Sequence, residues 1–253
     1  MPPKAKNCLV ILFLLAAATT APGADATDKI FRARAETELA RAQKLFQAET
    51  NAATAAPLAR ASFDCADLAT NGTQRAAFAQ AGIAACHQWL AREPKSAPAH
   101  YYLAMNLGKL AEAEAPSLAA YRLVHEVERE FKTAAELDVR YDFAGPARTL
   151  GELYFQAPGW PLSVGSRHKA REWFERAAAL APDYPENQLN LAEAHLKWRN
   201  RDEAEKTLQK IEAVWPAART NFTGAARERD WLDWNARRAA ARGEFQKLFK
   251  AAP

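Results

Sequence analysis

The chain has 253 residues, enough for one large domain or one repeat array, and only 10 are glycine. Its net charge of +4 comes from 34 basic and 30 acidic residues with the signs interspersed, as across 128–132. A nucleic-acid binder concentrates Lys and Arg on one stripe. The nearest approach here is Arg219, Arg227, Arg229, Arg237, Arg238 and Arg242, which Glu228, Asp230, Asp233 and Glu244 dilute, so no nucleic-acid partner is expected.

The first 26 residues read as a leader. Lys4 and Lys6 precede an uninterrupted apolar run from Cys8 to Ala18, and small or polar residues follow up to Ala24-Asp25-Ala26. This is the layout of a secretory signal peptide. Cleavage is expected after Ala26, with Ala24 as the alternative and an uncleaved anchor as the other reading. The run falls short of the roughly 20 residues a permanent spanning helix needs. Cys8 lies before the run, not after it where a lipid-carrying cysteine would sit. The expectation is an exported protein, periplasmic in a Gram-negative source and otherwise secreted. No second apolar run of membrane length occurs, so no stable membrane insertion is expected after cleavage.

Residues 27–57 are expected to form an N-terminal helix and a connection. The helix covers 28–49, with Ile30, Leu39, Leu45 and Phe46 apolar, and a small-residue connection covers 50–57. From there, apolar residues recur at helical spacing and there is almost no alternating Val/Ile/Thr pattern, which favours helices over sheet. Cys65 and Cys86 fall on neighbouring predicted helices. An oxidising compartment permits a disulfide between them; two small buried thiols are the alternative.

Internal repetition organises 58–216. Leu150-Gly151 and Tyr154 are followed by Ala170, Phe174, Ala177 and Pro182. Leu191-Ala192 and His195 are followed by Ala204, Leu208, Ile211 and Pro216 at the same later spacing. A third copy has Leu103-Ala104, Leu107, Val127, Phe131, Ala134 and Val139, and a degenerate one spans Phe63 to Pro94. Small residues stand where two helices cross closely, large ones fill the space beside them, and the proline is expected to end the second helix. Gly82, Gly108 and Gly151 lie within predicted helices, where close packing is expected.

This pattern resembles the tetratricopeptide repeat, W-x2-L-G-x2-Y…A-x3-F…P. The layout, with lengthened loops inside the repeats, is also similar to the T-component of tripartite periplasmic transporters and to the regulator of microtubule dynamics family. The implied fold is all-α: a right-handed α-solenoid of about four tetratricopeptide-like helix pairs. An N-terminal helix and a C-terminal capping helix within 217–253 complete it. Trp231, Trp234, Phe245, Leu248 and Phe249 would form the apolar side of that last helix.

Catalytic and metal-binding signatures are missing. His87, His100, His125, His168 and His195 form no His-x3-His or His-Glu-x-x-His, and there is no Gly-x-Ser-x-Gly, P-loop or dinucleotide glycine pattern. No enzyme, metal or cofactor is expected, and His100 and His195 are expected to be satisfied interior histidines. The resemblance implies binding of a protein or peptide on the concave face, lined by first helices of the pairs. Here that face would present Tyr101, Met105, Arg148, Glu152, Phe155, Asn190 and Glu193, with Tyr102 and Leu189 at its margin. The rigid insertion 156–166 carries Trp160, which would either plug a gap between helices or lean over the binding surface. A homo-oligomer is compatible with this plan. The alternatives are a ligand-binding transporter accessory of the T-component kind and an enzyme with an unrecognised site.

Overall fold

A computed structural model describes residues 24–250. Residues 1–23 of the proposed leader at 1–26 lie outside them. Ten α-helices follow one another among the described residues, with no strand beyond an isolated bridge between Gly159 and Gly165. They are α1 (Ala24–Ala48), α2 (Ala52–Asp67), α3 (Gly72–Arg92), α4 (Ala97–Glu114), α5 (Leu118–Asp138), α6 (Tyr141–Gln156), α7 (Arg167–Leu180), α8 (Pro185–Lys197), α9 (Arg201–Asn221) and α10 (Glu228–Phe245). A π-helical turn, Gln246–Lys250, follows α10. The all-α expectation holds, and helix pairs α2–α3, α4–α5, α6–α7 and α8–α9 correspond to the four repeats.

The helices divide between two compact units. The first holds the described residues up to Pro94, with Tyr102–Val127 and Pro161–Ser163. Here α1 packs on α2 and α2 on α3. The expected connection over 50–57 is mostly helix, because Asn51 caps α2: its side chain accepts from the Thr54 amide at 3.0 Å, and Thr54 Oγ1 accepts from the Asn51 amide at 3.2 Å. That reciprocal cap satisfies two end groups and starts the helix early, with Pro57 inside it. A Cβ at Gly82 would run into the Asn106 side chain, whose Nδ2 donates to the Ala59 carbonyl at 3.1 Å. Gly108 has nothing within 4 Å of where its Cβ would be, so close packing does not explain it. Cys65 and Cys86 are buried and not joined to each other, and burial pushes the Cys65 thiol up to about 12.

The second unit holds Lys95–Tyr101, Glu128–Trp160 and the chain from Val164 onward. Successive helices pack in order, α6 on α7, α7 on α8, α8 on α9, and α10 closes against α8 and α9. The repeat residues are its core. Leu150, Tyr154, Ala170, Phe174, Ala177, Ala192, Ala204 and Ile211 are all buried. A Cβ at Gly151 would strike the Phe174 ring, which is the close approach that the small-residue position implies. Burying each large apolar side chain stabilises the unit by about 1.5–3 kcal/mol.

Two ends differ from expectation. Pro182 follows the end of α7, but Pro216 lies inside α9, which runs on to Asn221. An interior proline costs about 3 kcal/mol. The continuation carries Ala218 and Phe222 into a cluster with Trp215, Tyr184, Leu189, Ile211 and Trp234, and that burial offsets the cost. The last helix, expected within 217–253, then starts at Glu228, because Gly224 at φ +95° and a 3-10 turn, Ala225–Arg227, redirect the chain. Trp231 Nε1 ties this corner by donating to the Phe222 carbonyl at 2.6 Å.

Candidate functional site

Glu152 and Phe155 stand three residues apart on α6, and Asn190 and Glu193 three apart on α8. This spacing puts each pair on one helix face. Together with Gln156, Phe174 of α7, and Asp233 and Arg237 of α10, they line a cleft of about 330 Å3. Four of the seven residues expected on the binding face therefore meet in one place, from the first helices of two successive repeats.

Arg237 crosses this cleft. Its Nε and Nη2 donate to the two oxygens of Glu193, both at 2.8 Å, and Nη2 also donates to Asn190 Oδ1. Nη1 reaches Asp233 at 3.4 Å and lies 4.0 Å from Glu186. The planar fork of a guanidinium matches a carboxylate in this two-point way. Burial opposes its charge, but Glu193, Glu186 and Asp233 outweigh that and hold Arg237 well above its ordinary range.

Asn190 uses both ends of its amide, since its Nδ2 donates to Glu152 Oε1 at 2.5 Å. Burial, followed by the nearby Glu186 carboxylate, pushes the Glu152 carboxyl up to about 7. Arg148, Arg237 and the Asn190 amide pull it back only in part. Beside it, the half-buried Phe155 ring meets Phe174 and Trp198 edge-on, each with centroids 5.8 Å apart, and Lys197 Nζ lies 4.4 Å from its centroid.

The other expected face residues lie elsewhere. Arg148 is 5% exposed and belongs to the core, not to an open surface. It pairs with Asp142 at 3.2 Å and Glu186 at 3.4 Å, donates to Asn187 Oδ1 at 3.2 Å, and stacks 4.9 Å from the Tyr184 centroid. Burial would lower its pKa, yet Glu186 and its other neighbours raise it well above the usual arginine range. Tyr101 is buried between Phe131 and Tyr141, with centroids at 5.9 and 5.4 Å. Met105 and Tyr102 are half-buried residues of the first unit, and Leu189 is fully buried.

Trp160 is 89% exposed and plugs no gap. Its loop is held rigid behind it. Gly165 N donates to the Pro158 carbonyl and Ser166 N to the Tyr154 carbonyl, both at 2.9 Å, and a Cβ at Gly165 would collide with the Ala157 carbonyl. Trp160 is not among the residues lining the cleft. His195 is buried with its Nδ1 3.5 Å from Asn200 Nδ2, and burial lowers its pKa. His100 Nδ1 lies 2.6 Å from Glu130. Both histidines have interior partners.

Sequence reasoning missed Arg237 and Asp233. They stand four apart on α10 and read as a solvated ion-paired face; only the docking of α10 on α8 turns them into the cleft. Phe174 was legible as a core position but not as part of the cleft wall.

Residues 162–216 match the family profile of the tetratricopeptide repeat. No curated protein matches the chain in sequence. Among solved structures, a thermophilic TPR protein of Thermus thermophilus is similar in fold, with a TM-score of 0.51 and 19% identity over 82% of this chain and 98% of that one. Yeast Tom70 is a more distant match, with a TM-score of 0.34 and 12% identity over 92% of this chain and 63% of that one.

Proposed function

We propose that this chain, a tetratricopeptide-repeat protein, is an exported, non-catalytic scaffold that binds a segment of another protein at the α6–α8 cleft. One observation carries this reading. Glu152, Phe155, Asn190 and Glu193 come from the first helices of two successive repeats and converge on one partly open cavity. First helices are the elements that repeat scaffolds use to present side chains, and stacking fixes their spacing. The lining suits a peptide: oriented polar groups set register, and a half-buried aromatic ring supplies contact area.

Export rests on the leader at 1–26, and fusing those residues to a reporter active only outside the cytoplasm tests it. The binding role is tested by panning a random peptide display library on the purified chain. Enriched peptides should bind the parent chain and lose most of their affinity to the Phe155→Ala, Asn190→Ala double variant. Failure to enrich any peptide, or equal binding to the folded double variant, would reject the α6–α8 cleft as the site.

A further inference from the structure

We infer that the cleft accepts a cationic side chain, arginine or lysine, from the bound segment, with its stem against Phe155 and Phe174 and its charge at Glu152. This rests on the scaffold reading above and adds the chemistry of the partner. The charges around the cleft do not balance. Facing Glu152 are Arg148 from its own helix, Glu186 and Glu193 from α8, and Asp233 and Arg237 from α10. That is four carboxyls to two guanidiniums, with the Lys197 ammonium of α8 over the Phe155 ring as a further cation beside them.

Both guanidiniums are already engaged. Arg237 is spread over Glu193, Asn190 and Asp233, and Arg148 over Asp142 and Glu186. Glu152 is instead held by a neutral amide, that of Asn190. A partly buried carboxylate without a cation at hydrogen-bonding distance is disfavoured, and its raised pKa is the symptom. A ligand cation placed there supplies the missing charge in a setting where water screens it little.

The apolar part of the wall fits the same side chain. Phe155 and Phe174 lie against the cavity that Glu152 borders, so an aliphatic stem can run along them with its charged end at the carboxylate. The Phe155 ring already serves as a cation platform, for Lys197. A segment offering a carboxylate or a phosphate at this position would face the excess negative charge, and a lipid tail would leave Glu152 without a cation partner.

Cation binding also carries a proton signature. A ligand charge favours ionised Glu152, so near neutral pH binding expels protons, and affinity weakens as pH falls below about 7.

Two acetylated, amidated pentapeptides test the inference on the full chain: Ala-Ala-Arg-Ala-Ala and its citrulline counterpart, which keeps the shape and lacks the charge. Titration followed by NMR of the labelled protein should shift the Asn190 side-chain amide and the Phe155 ring. The citrulline peptide should bind at least about tenfold more weakly. Glu152→Gln should abolish the preference, and the parent chain should show proton release by calorimetry in buffers of different ionisation enthalpy. Equal affinity for the two peptides, no binding by either, or a charge preference that survives in Glu152→Gln would overturn the inference. If display-selected peptides still needed Phe155 and Asn190 in that case, the scaffold reading would stand without it.

Discussion

Arg148 Nη1 donates to the backbone carbonyls of Asp142 and Phe143, at 3.4 and 3.3 Å, and so holds a turn that residues with side chains rarely adopt. Asp142, Phe143 and Ala144 all lie in the left-handed region, with φ of 48°, 54° and 63°. Asn187 Nδ2 donates to the same Phe143 carbonyl at 3.0 Å, and the Phe143 ring stacks on Tyr184 at 4.9 Å. Left-handed backbone at a residue with a Cβ costs about 1–3 kcal/mol each and persists only where the surroundings over-determine it. Arg148 and Asn187 supply that constraint, joining the start of α6 to α8.

Arg148→Ala should therefore be among the most damaging substitutions in the second unit. It strips a buried ion pair and frees a strained turn, so a loss of about 3–5 kcal/mol is expected. Urea denaturation measures it. A loss under about 1 kcal/mol would show that the turn holds without its staple.

Two glycine substitutions should have opposite signs. Gly151→Ala places a methyl against the Phe174 ring and should cost about 1–3 kcal/mol, despite its gain in helix propensity. Gly108→Ala meets nothing within 4 Å on α4 and should stabilise by about 0.5–1 kcal/mol. Parallel thermal melts check both; equal effects would mean that packing does not distinguish the positions.

Glu152 should make stability fall as pH rises. Its folded pKa of about 7 exceeds the ordinary carboxyl value, so the native state binds the proton more tightly than the unfolded chain. The contribution is fully present below the unfolded pKa and is lost as pH climbs through about 7. Glu152→Gln keeps the neutral form, so it should gain on the parent chain across this window, by about 1–3 kcal/mol above pH 7, and match it in acid. A difference that did not change between acid and neutral pH would contradict this.

Trp160→Ser should leave stability within about 0.5 kcal/mol of the parent, because the ring is 89% exposed. The same variant should lose the fraction of tryptophan fluorescence most readily quenched by iodide. If quenching were unchanged, the ring would be covered in solution.

The core was legible in the sequence where one residue type answers one geometric need. Gly151 opposite Phe174, Ala170 and Ala177 at crossings, and Leu150 and Tyr154 beside them announce helix pairs through spacing alone. Half of the cleft lining was legible for the same reason: Glu152 with Phe155, and Asn190 with Glu193, share a helix face by their three-residue offset. Local rules failed where a distant contact outweighed them. Pro216 reads as a stop, yet burial of Ala218 and Phe222 against Trp215 carries α9 past it.

The amino-acid pattern alone carries the class of fold and the repeat pairs. Those depend on periodicity and on the size of residues near one another in the chain. Only the tertiary structure decided that Arg148 is a buried staple, that Trp160 stands in solvent, and that Arg237 of the last helix completes the cleft. Arg237 lies 44 residues from Glu193. Its role arises from how α10 docks on α8, a sum of many weak contacts that no local pattern encodes.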